Sequence, residues 1–404
     1  MMDQAKKKLL IVTSTFPRYE GDVSSARFVL DLAKVLAIYY EVHVLAPHSP
    51  SARREETVEG VKVYRFRYFF PTGLERLTRE AGIMANLKKN KILFFQLPFL
   101  FVSEIFNIVR IVRREQIDIV NSHWMVPQGL AVALVKNCLK VKHVLTIHAA
   151  DIFALKRWGG IGKKISRYIV GRTDIALPVS GYIKETLDSL VSINYGYDIL
   201  PMGVAEERFP AGEKSMALRT EELRLLFVGK LVEKKGLIYI LEAVKALKEK
   251  GIPVKLTVAG SGPLEESLKK YVNEEELDSG VIFCGWTPND RLSELYSRSD
   301  VTVVPSVYDK NGETEGMPVV VLESMATGTP VLASRISGMP DIVVDDRNGW
   351  LVDPGSSVAI SERLEQIISM DLSEYSKEAI STAAKYTCSS IAARYRDKIE
   401  ELFN

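Results

Sequence analysis

Short runs of β-branched and other apolar residues alternate with longer amphipathic segments along the first half of the chain. In the longer segments the apolar residues recur at helical spacing, as in ARFVLDLAKVLA at 26–37. This alternation is typical of βαβ units built around a parallel sheet. It predicts strands at 9–14, 41–46, 61–66, 117–122, 143–148 and 174–180.

The same alternation begins again after about residue 205, and each apolar run there ends beside a glycine, proline or serine. Loops of that composition suit the strand ends at which such sheets bind ligands. We therefore expect an α/β protein with two Rossmann-like, doubly wound domains facing a cleft. The second set of predicted strands is 223–229, 254–260, 281–285, 301–305 and 330–334.

The polar, aperiodic segment at 205–222 is the predicted linker. It sets the predicted limits of an N-terminal domain at residues 1–205 and of a C-terminal domain at residues 206–384. The amphipathic stretch 389–403 is expected to fold back onto the N-terminal domain, so residues 385–404 are assigned to that domain.

Composition narrows the class of protein. The 404 residues are 47% hydrophobic and 26% charged, with a formal net charge of +2, which indicates a globular protein with no general attraction to nucleic acid. The cysteines, Cys138, Cys284 and Cys388, have no metal-ligand spacing and fit a reducing compartment. We find no targeting signal and expect a cytoplasmic protein.

Two glutamates bracket an apolar run in ETEGMPVVVLE, residues 313–323. Pro318 suits the first position of a helix, and Gly328 suits its C-terminal cap. Glu315 then lies just before the positive end of that helix, and Glu323 lies about 7.5 Å further along its axis.

The start of this predicted helix offers an anion site. The N–H groups of Gly316, Met317 and Val319 would face the anion. A diphosphate there leaves Glu323 near a ribose and Glu315 near sugar hydroxyls, and carboxylates accept several such donors. The alternative is that Glu315 only stabilises the helix start while Glu323 lies on a solvated face.

A lysine cluster follows the first strand of the second half, in VGKLVEKKG at 228–236. Lys230 and Lys235 at a strand end would stabilise a departing diphosphate, as a metal ion does elsewhere. No Asp-x-Asp pair occurs in the chain, so we predict no metal and no cofactor besides the donor substrate. A solvated lysine cluster is the alternative.

Together these motifs resemble the retaining glycosyltransferases of family four, which have the two-domain GT-B fold. EGMPVVVLE matches their paired glutamates, and GKLVEKKG resembles their donor-phosphate loop. Further matches follow in the same order through the second half: VAGSGPLEESL (258–268), FCGW (283–286), LYSRSDVTVVPS (295–306), MATGTPVLAS (325–334) and NGWLVDP (348–354). In the first half the matches are shorter: STFPRYEGD (14–22), TIHAAD (146–151) and LPMGV (200–204).

The resemblance implies a role for each candidate residue. The catalytic candidates are His148, Glu315, Lys230 and Lys235, with Glu315 on the donor sugar and the lysines on the diphosphate. The donor-binding candidates are Gly21, Gly229, Gly316, Met317, Pro318 and Glu323. His123 and Asp151 are assigned to the acceptor side, and Asp151 is also expected to orient His148. His43 and His143 are predicted to be structural.

Four positions depart from the family pattern. Lys230 stands where the family usually has arginine, which removes bidentate phosphate binding. Gly21 is followed by Asp22 in place of a second glycine, Ala149 replaces a glycine, and Asp341 replaces a glutamate.

The implied reaction moves a hexosyl group from a nucleotide diphosphate sugar to a glycan, lipid-linked or small-molecule acceptor, with retention of anomeric configuration. A UDP-sugar is the first expectation and GDP-mannose the second. A sugar-nucleotide epimerase on the same fold and a non-catalytic sugar-nucleotide-binding protein are the alternatives.

Membrane contact is a separate hypothesis. VYRFRYFF (63–70) and LKKNKILFFQLPF (87–99) mix basic with aromatic or apolar residues. The most apolar stretch, 92–102, is shorter than the ~20 residues that a spanning helix needs. The second segment is therefore either a core helix flanked by lysines or a helix on an anionic membrane surface. The surface alternative predicts a peripheral protein at the inner face of the membrane and a lipid-linked acceptor.

Overall fold

The computed structural model describes residues 6–22, 27–50, 52–79, 82–192, 197–211 and 222–403. The chain divides into two compact units, an N-terminal unit of Met1–Met202 with Ile391–Asn404 and a C-terminal unit of Gly203–Ser390. Much of the predicted linker, residues 212–221, lies outside the described residues.

The N-terminal unit is built on a seven-stranded sheet. Its strands are β1 (Lys8–Val12), β2 (Glu41–Pro47), β3 (Glu55–Val58), β4 (Val61–Phe66), β5 (Ile119–His123), β6 (Lys142–Ile147) and β7 (Ile175–Pro178), in the spatial order β3-β4-β2-β1-β5-β6-β7. All pairs are parallel except β3 with β4. The six predicted strands are confirmed. The sequence did not predict β3, because its EETV segment is a polar edge strand without an apolar run.

Within the described residues, seven helices of the N-terminal unit connect these strands or follow the last of them. They are α1 (Phe28–Leu36), α2 (Ile83–Lys89), α3 (Leu97–Glu115), α4 (Leu130–Leu139), α5 (Ala149–Arg157), α6 (Gly159–Val170) and α7 (Gly181–Val191). The central strand β1 is buried along Leu9–Val12, as expected for a parallel sheet covered on both faces.

The C-terminal unit contains a six-stranded sheet in which every pair is parallel. Its strands are β8 (Leu223–Val228), β9 (Val254–Ala259), β10 (Val281–Gly285), β11 (Val301–Val304), β12 (Val331–Ser334) and β13 (Gly349–Val352), in the order β10-β9-β8-β11-β12-β13. The helices of this unit are α8 (Leu237–Glu249), α9 (Glu265–Glu274), α10 (Asn289–Arg298), α11 (Val319–Ala326), α12 (Ser357–Ile367) and α13 (Ser373–Ala383). The five predicted strands are confirmed, and the sequence did not predict β13.

Each sheet changes the direction of its strand order beside its first strand. The change lies between β1 and β5 in the N-terminal unit and between β8 and β11 in the C-terminal unit. Open α/β sheets bind ligands outside the carboxyl ends of the strands at this point. Both units are therefore doubly wound, Rossmann-like sheets with a ready-made ligand position.

The helix predicted from Pro318 forms as α11, but it starts one residue later. Pro318 precedes the first helical residue, and Gly328 beyond its end has a φ of +77°. Val321, Leu322 and Met325 are buried in the core of the unit, while Glu323 is only partly buried. The apolar run thus fills the core while its last carboxylate stays at the surface.

The final helix, α14 (Cys388–Glu400), returns to the N-terminal unit, as predicted. The Tyr395 hydroxyl lies 2.6 Å from Thr146 Oγ1, and Lys7 Nζ lies 2.6 Å from a carboxylate oxygen of Glu400. Burial raises the pKa of Tyr395 to about 12, so its hydroxyl stays protonated and can hold this contact.

The apolar stretch at 92–102 is longer as a helix than its composition indicated. A 3₁₀ segment, Lys91–Gln96, continues directly into α3, so one helical element runs over the 25 residues Lys91–Glu115. By length and apolar composition alone this element could cross a membrane, so the prediction that it is too short is wrong. Only 28% of its most apolar part is buried, so the core-helix hypothesis accounts for one face of it.

Candidate active site

The lysine loop after β8 is held in one conformation by a close backbone approach. Glu233–Lys235 form a single 3₁₀ turn that ends at Gly236, which has a φ of +69°. A Cβ on Gly236 would lie 1.9 Å from the carbonyl oxygen of Pro305, so no larger residue fits there. The Val307 N–H donates to the Lys234 carbonyl at 2.9 Å. The loop is therefore docked against the segment that follows β11.

This docking brings two lysines to one carboxylate. Lys234 Nζ lies 3.0 Å from Glu315 Oε1, and Lys235 Nζ lies 3.2 Å from Glu315 Oε2. Burial alone would raise the pKa of Glu315, but the charges of Lys235 and Lys234 outweigh it and lower that pKa to about 2. Glu315 is thus ionised at neutral pH and accepts hydrogen bonds.

The structure separates the two lysines that the sequence had grouped. Lys235 contacts Glu315, whereas Lys230 is exposed and its ammonium group forms no ion pair within the described residues. Sequence reasoning missed Lys234, although the adjacent lysines in VEKKG were visible. A role for Lys230 on the diphosphate stays a prediction.

The turn before α11 directs two N–H groups away from Ser337. Ser337 Oγ donates to the carbonyls of Glu315 (2.6 Å) and Gly316 (2.9 Å). In a trans peptide the N–H points opposite to the C=O, so the N–H groups of Gly316 and Met317 point away from Ser337. Neither of them donates a hydrogen bond within the part of the chain that is described. With Lys234 and Lys235 nearby, these groups suit an anion at a helix start.

Glu323 is anchored by a tyrosine that sequence reasoning left without a role. The buried Tyr296 hydroxyl donates to Glu323 Oε2 at 2.9 Å. Burial and then the charge of Glu323 raise the pKa of Tyr296 well above 10. The only available signal was the position of Tyr296 in LYSRSDVTVVPS, one of the segments matching the family.

In the N-terminal unit, His148 lies at the end of β6, directly before α5, within a cluster of rings. Its ring centroid is 4.6 Å from that of Trp124, 5.4 Å from that of His123 and 5.7 Å from that of Phe28. His123, the last residue of β5, is fully buried, and its Nδ1 lies 3.1 Å from His148 Nε2. β5 and β6 are neighbouring parallel strands, so their carboxyl ends bring these two predicted histidines together.

The unpaired nitrogen of His123 indicates which tautomers are present. His123 Nε2 is buried and has no hydrogen-bond partner within the described residues. A buried N–H without a partner is costlier than a lone pair without one. We therefore assign the proton of His123 to Nδ1, from which it is donated to His148 Nε2. His148 then carries its own proton on Nδ1, which is free to donate to a ligand.

Both histidines are uncharged at neutral pH. Burial lowers the pKa of His148 to about 3. Burial and then the neighbouring His148 lower the pKa of His123 well below 6.5. His143, predicted to be structural, is also buried, and its Nε2 lies 2.8 Å from Ser122 Oγ. His43 lies 3.0 Å from Glu41 and stacks on Tyr64.

Asp151, which was expected to orient His148, contacts a different group. Asp151 accepts from the backbone N–H of Met125, and no hydrogen bond joins it to His148 within the described ranges. The segment after β5 places the N–H of Met125 beside the first turn of α5, where Asp151 lies. The Asp151 carboxylate therefore binds this N–H. Burial raises the pKa of Asp151 to about 7. Asp151 and His123 are both buried, and their acceptor role stays a prediction.

Gly21 lies in the loop after β1, with a φ of +81° and open space where a Cβ would be. The next residue, Asp22, is buried and accepts from the Arg18 guanidinium at 2.9 and 3.2 Å. The aspartate that replaces the family's second glycine therefore fixes the loop. Binding of the donor by Gly21 stays a prediction.

Two family models together match nearly all of the chain. The model of glycosyltransferase family 4 matches residues 25–208, and the model of glycosyl transferases group 1 matches residues 210–386. The boundary between them falls close to that between the two units of the structure.

Individual proteins resemble the chain in sequence or in fold. The amylovoran biosynthesis glycosyltransferase AmsK of Erwinia amylovora is 30% identical over 226 residues, which make up 55% of this chain and 54% of AmsK. The chain thus spans about half the length of this and similarly related curated proteins. Sucrose-phosphate synthase from Thermosynechococcus elongatus has a TM-score of 0.76 at 19% identity, covering 98% of this chain and 99% of its own. HepE from Anabaena, solved in complex with UDP, has a TM-score of 0.72 at 14% identity, covering 98% and 100%.

The structural likeness confirms the GT-B fold, and the two family models cover the two halves of that fold. Both glutamates and the lysine loop of the family pattern occur in the C-terminal unit. The chain therefore belongs to the family 4 glycosyltransferases.

Proposed function

We propose that the protein transfers a hexosyl group from a nucleotide diphosphate sugar, with retention of configuration and without a metal ion. One observation carries the proposal: Lys234 and Lys235 meet the ionised Glu315 beside the two undonated N–H groups of Gly316 and Met317. Positive charge and N–H donors suit a diphosphate, and the carboxylate suits the hydroxyls of the attached sugar.

The diphosphate would replace part of the present ion pairing. Each lysine ammonium has three donors, so it can hold a phosphate oxygen while still contacting Glu315. The N–H groups of Gly316 and Met317 complete the anion site with donors that need no reorganisation. Glu323, fixed by Tyr296, is proposed to accept from the ribose of the same ligand.

The chemistry follows from stabilising the leaving group. The bond between the anomeric carbon and the diphosphate oxygen breaks, and an acceptor oxygen bonds to that carbon on the same face. The acceptor's proton passes to an oxygen of the departing diphosphate, so no side chain has to act as nucleophile. The lysines neutralise the charge that grows on the diphosphate. Glu315 cannot act as the acid, because its pKa of about 2 keeps it ionised.

His148 is proposed to donate its Nδ1 proton to a hydroxyl of the reacting sugar. It does so as a neutral group, since its pKa is about 3. A neutral donor orients a hydroxyl without adding positive charge next to an oxocarbenium-like transition state.

The substrates are proposed from the relatives. HepE was solved with UDP and with UDP-glucose, which favours a UDP-sugar here, with GDP-mannose second. AmsK acts in amylovoran biosynthesis, which favours a growing polysaccharide or its lipid-linked precursor as acceptor. Nucleotide sugars of this kind are cytoplasmic, and we propose the same location for the enzyme.

The test is an NMR assay with UDP-glucose, UDP-galactose, UDP-N-acetylglucosamine and GDP-mannose, each with and without EDTA. We expect one donor to release its nucleoside diphosphate, at a rate that EDTA does not change. We also expect a donor with an axial anomeric bond to give a glycoside or free sugar in which that bond is still axial. Conversion of the sugar within the intact donor would indicate an epimerase. Binding of a donor without turnover in the presence of an acceptor library would indicate a non-catalytic binding protein. Inversion of configuration would refute the retaining mechanism.

A further inference from the structure

The N-terminal unit exposes apolar side chains along the helical element Lys91–Glu115 and in the loop after β4. The most exposed side chains are Phe70 (88%), Ile92 (80%), Phe95 (67%), Val102 (66%) and Phe106 (66%). We call the set Phe69, Phe70, Ile92, Phe94, Phe95, Phe99, Val102 and Phe106 the aromatic face. A surface with this many exposed aromatic residues normally has a partner.

The centre of the aromatic face is preorganised. The ring centroids of Phe69, Phe95 and Phe99 lie 5.4 to 6.3 Å apart, and every pair among the three is in contact. Three rings that pack on one another at the surface form one apolar unit, in contrast to scattered exposed residues. A partner therefore meets this surface without first ordering it.

The other side of the same element is part of the core. Leu100, Ile108 and Ile111 are buried in the core cluster of the N-terminal unit. The buried Glu104 of α3 accepts from Gln128 Nε2 at 3.1 Å. A helix whose inner side packs against a sheet cannot also be surrounded by lipid. The element therefore lies along the unit, and only its outer side can meet a membrane.

Charge selects the kind of membrane. Within residues 82–115 the basic residues are Lys88, Lys89, Lys91, Arg110, Arg113 and Arg114, and the acidic residues are Glu104, which is buried, and Glu115, which pairs with Arg114 and Lys62. Burial raises the pKa of Glu104 to about 8, so it adds little negative charge. The basic residues lie at both ends of the apolar stretch. Two of them, Arg110 and Arg114, also form ion pairs with Glu55. Basic residues flanking an apolar surface complement anionic lipid head groups.

We propose that the aromatic face docks the protein in the plane of an anionic lipid bilayer. The aromatic side chains enter the boundary between head groups and acyl chains, and the flanking lysines and arginines bind lipid phosphates. A second copy of the chain is the less suitable occupant, because a symmetric contact through this surface would bring two basic clusters together. This inference does not depend on the proposed donor chemistry.

The test is co-sedimentation of the full chain with vesicles, measured without any sugar nucleotide. Phosphatidylcholine vesicles containing ~30% phosphatidylglycerol are compared with phosphatidylcholine alone. We expect partition onto the anionic vesicles that exceeds partition onto the neutral vesicles by about tenfold or more and that decreases with added salt. Lack of binding to both vesicle types would overturn the proposal.

Two pairs of variants assign the binding to this surface. Phe94→Ser with Phe106→Ser should lower partition about tenfold, whereas Ile161→Ser with Val358→Ser, at similarly exposed positions elsewhere, should not change it. Lys89→Glu with Lys91→Glu should remove the preference for anionic lipid, whereas Lys255→Glu with Lys270→Glu should keep it. Unchanged partition both in Phe94→Ser with Phe106→Ser and in Lys89→Glu with Lys91→Glu would overturn the proposal. Sedimentation of a dimer that is lost in Phe94→Ser with Phe106→Ser would assign the surface to a second copy.

Discussion

Both sheets carry candidate sites at the carboxyl ends of their strands, but the two sites differ in charge. In the C-terminal unit the groups are charged and paired, Lys234 and Lys235 with Glu315. In the N-terminal unit burial shifts the pKa values of His148 and Asp151 towards the uncharged forms. A paired charge cluster can exchange partners with a diphosphate, whereas a neutral cluster can only donate or accept hydrogen bonds. The charged cluster of the C-terminal unit therefore suits the binding of a charged group, and the neutral cluster of the N-terminal unit suits the orientation of hydroxyl groups.

The largest expected effect comes from removing the charge at the centre of the C-terminal cluster. Glu315→Gln should lower kcat/KM about a thousandfold, because it loses contacts to the sugar that strengthen in the transition state. Steady-state kinetics with the identified donor measure this. Glu294→Gln, at an exposed position on α10, is the matched control and should be unaffected. A loss under tenfold in Glu315→Gln would contradict the assignment.

The pH dependence of stability should have opposite signs for the two carboxylates. Glu315 has a folded pKa of about 2 against 4.5, so its contribution is complete above pH 4.5 and is lost as the pH falls towards 2. Asp151 has a folded pKa of about 7 against 3.8, so its contribution is lost as the pH rises towards 7.

A comparison of variants measures this difference. Relative to Asp151→Asn, the wild-type N-terminal unit should lose about 3 kcal/mol of unfolding free energy between pH 5 and pH 8. Relative to Glu315→Gln, the C-terminal unit should show no change over that range. Scanning calorimetry at both pH values follows the two variants, and either no loss relative to Asp151→Asn or an equal loss relative to Glu315→Gln would refute the comparison.

The neutral cluster should matter for turnover more than for donor affinity. His148→Asn should lower kcat about a hundredfold while the dissociation constant for the nucleoside diphosphate changes little. His123→Phe keeps a ring but removes the donor that fixes the His148 tautomer, and it should lower kcat about tenfold. If the diphosphate affinity falls as much as kcat in His148→Asn, the division of labour between the units is wrong.

The smallest effect is expected where one hydrogen bond positions a carboxylate. Tyr296→Phe keeps the Glu323 carboxylate but removes the hydroxyl that donates to it, which should raise KM for the sugar nucleotide about threefold to tenfold with little change in kcat. Glu323→Gln should weaken donor binding more strongly. The two substitutions combined should cost little more than Glu323→Gln alone, since they act on one interaction. Fully additive losses would show that Tyr296 does not act through Glu323.

Sequence patterns predicted the sheets well because buried parallel strands are continuous apolar runs. All eleven strands predicted from such runs are present, and the sequence did not predict the polar edge strand β3 or the last strand, β13. The pairing of Lys235 with Glu315 was also within reach, since both residues belong to recognisable motifs.

The side-chain contacts that the sequence did not predict, or predicted wrongly, depend on the path of the loops. Lys234 reaches Glu315 because the 3₁₀ turn ends at Gly236 against Pro305, which spacing along the chain does not reveal. Asp151 takes the Met125 N–H because of how the segment after β5 folds. The exposure of Phe95 and its neighbours depends on which elements fail to cover the helical element Lys91–Glu115, and a hydropathy pattern does not contain that information.

The central claim is that the C-terminal unit grips a diphosphate through the lysines that meet Glu315. A thermal-shift screen with UDP, GDP, ADP and CMP selects the ligand, which at 100 times its dissociation constant should stabilise the fold by about 2.7 kcal/mol. Calorimetric titration of that ligand then compares Lys235→Ala with Lys230→Ala, two lysines of one loop that differ in their contact with Glu315. The account predicts at least about tenfold weaker binding in Lys235→Ala and a smaller loss in Lys230→Ala, whose ammonium group has no contact with Glu315. Equal affinity of Lys235→Ala and the wild type, or no binding of any diphosphate, would contradict it.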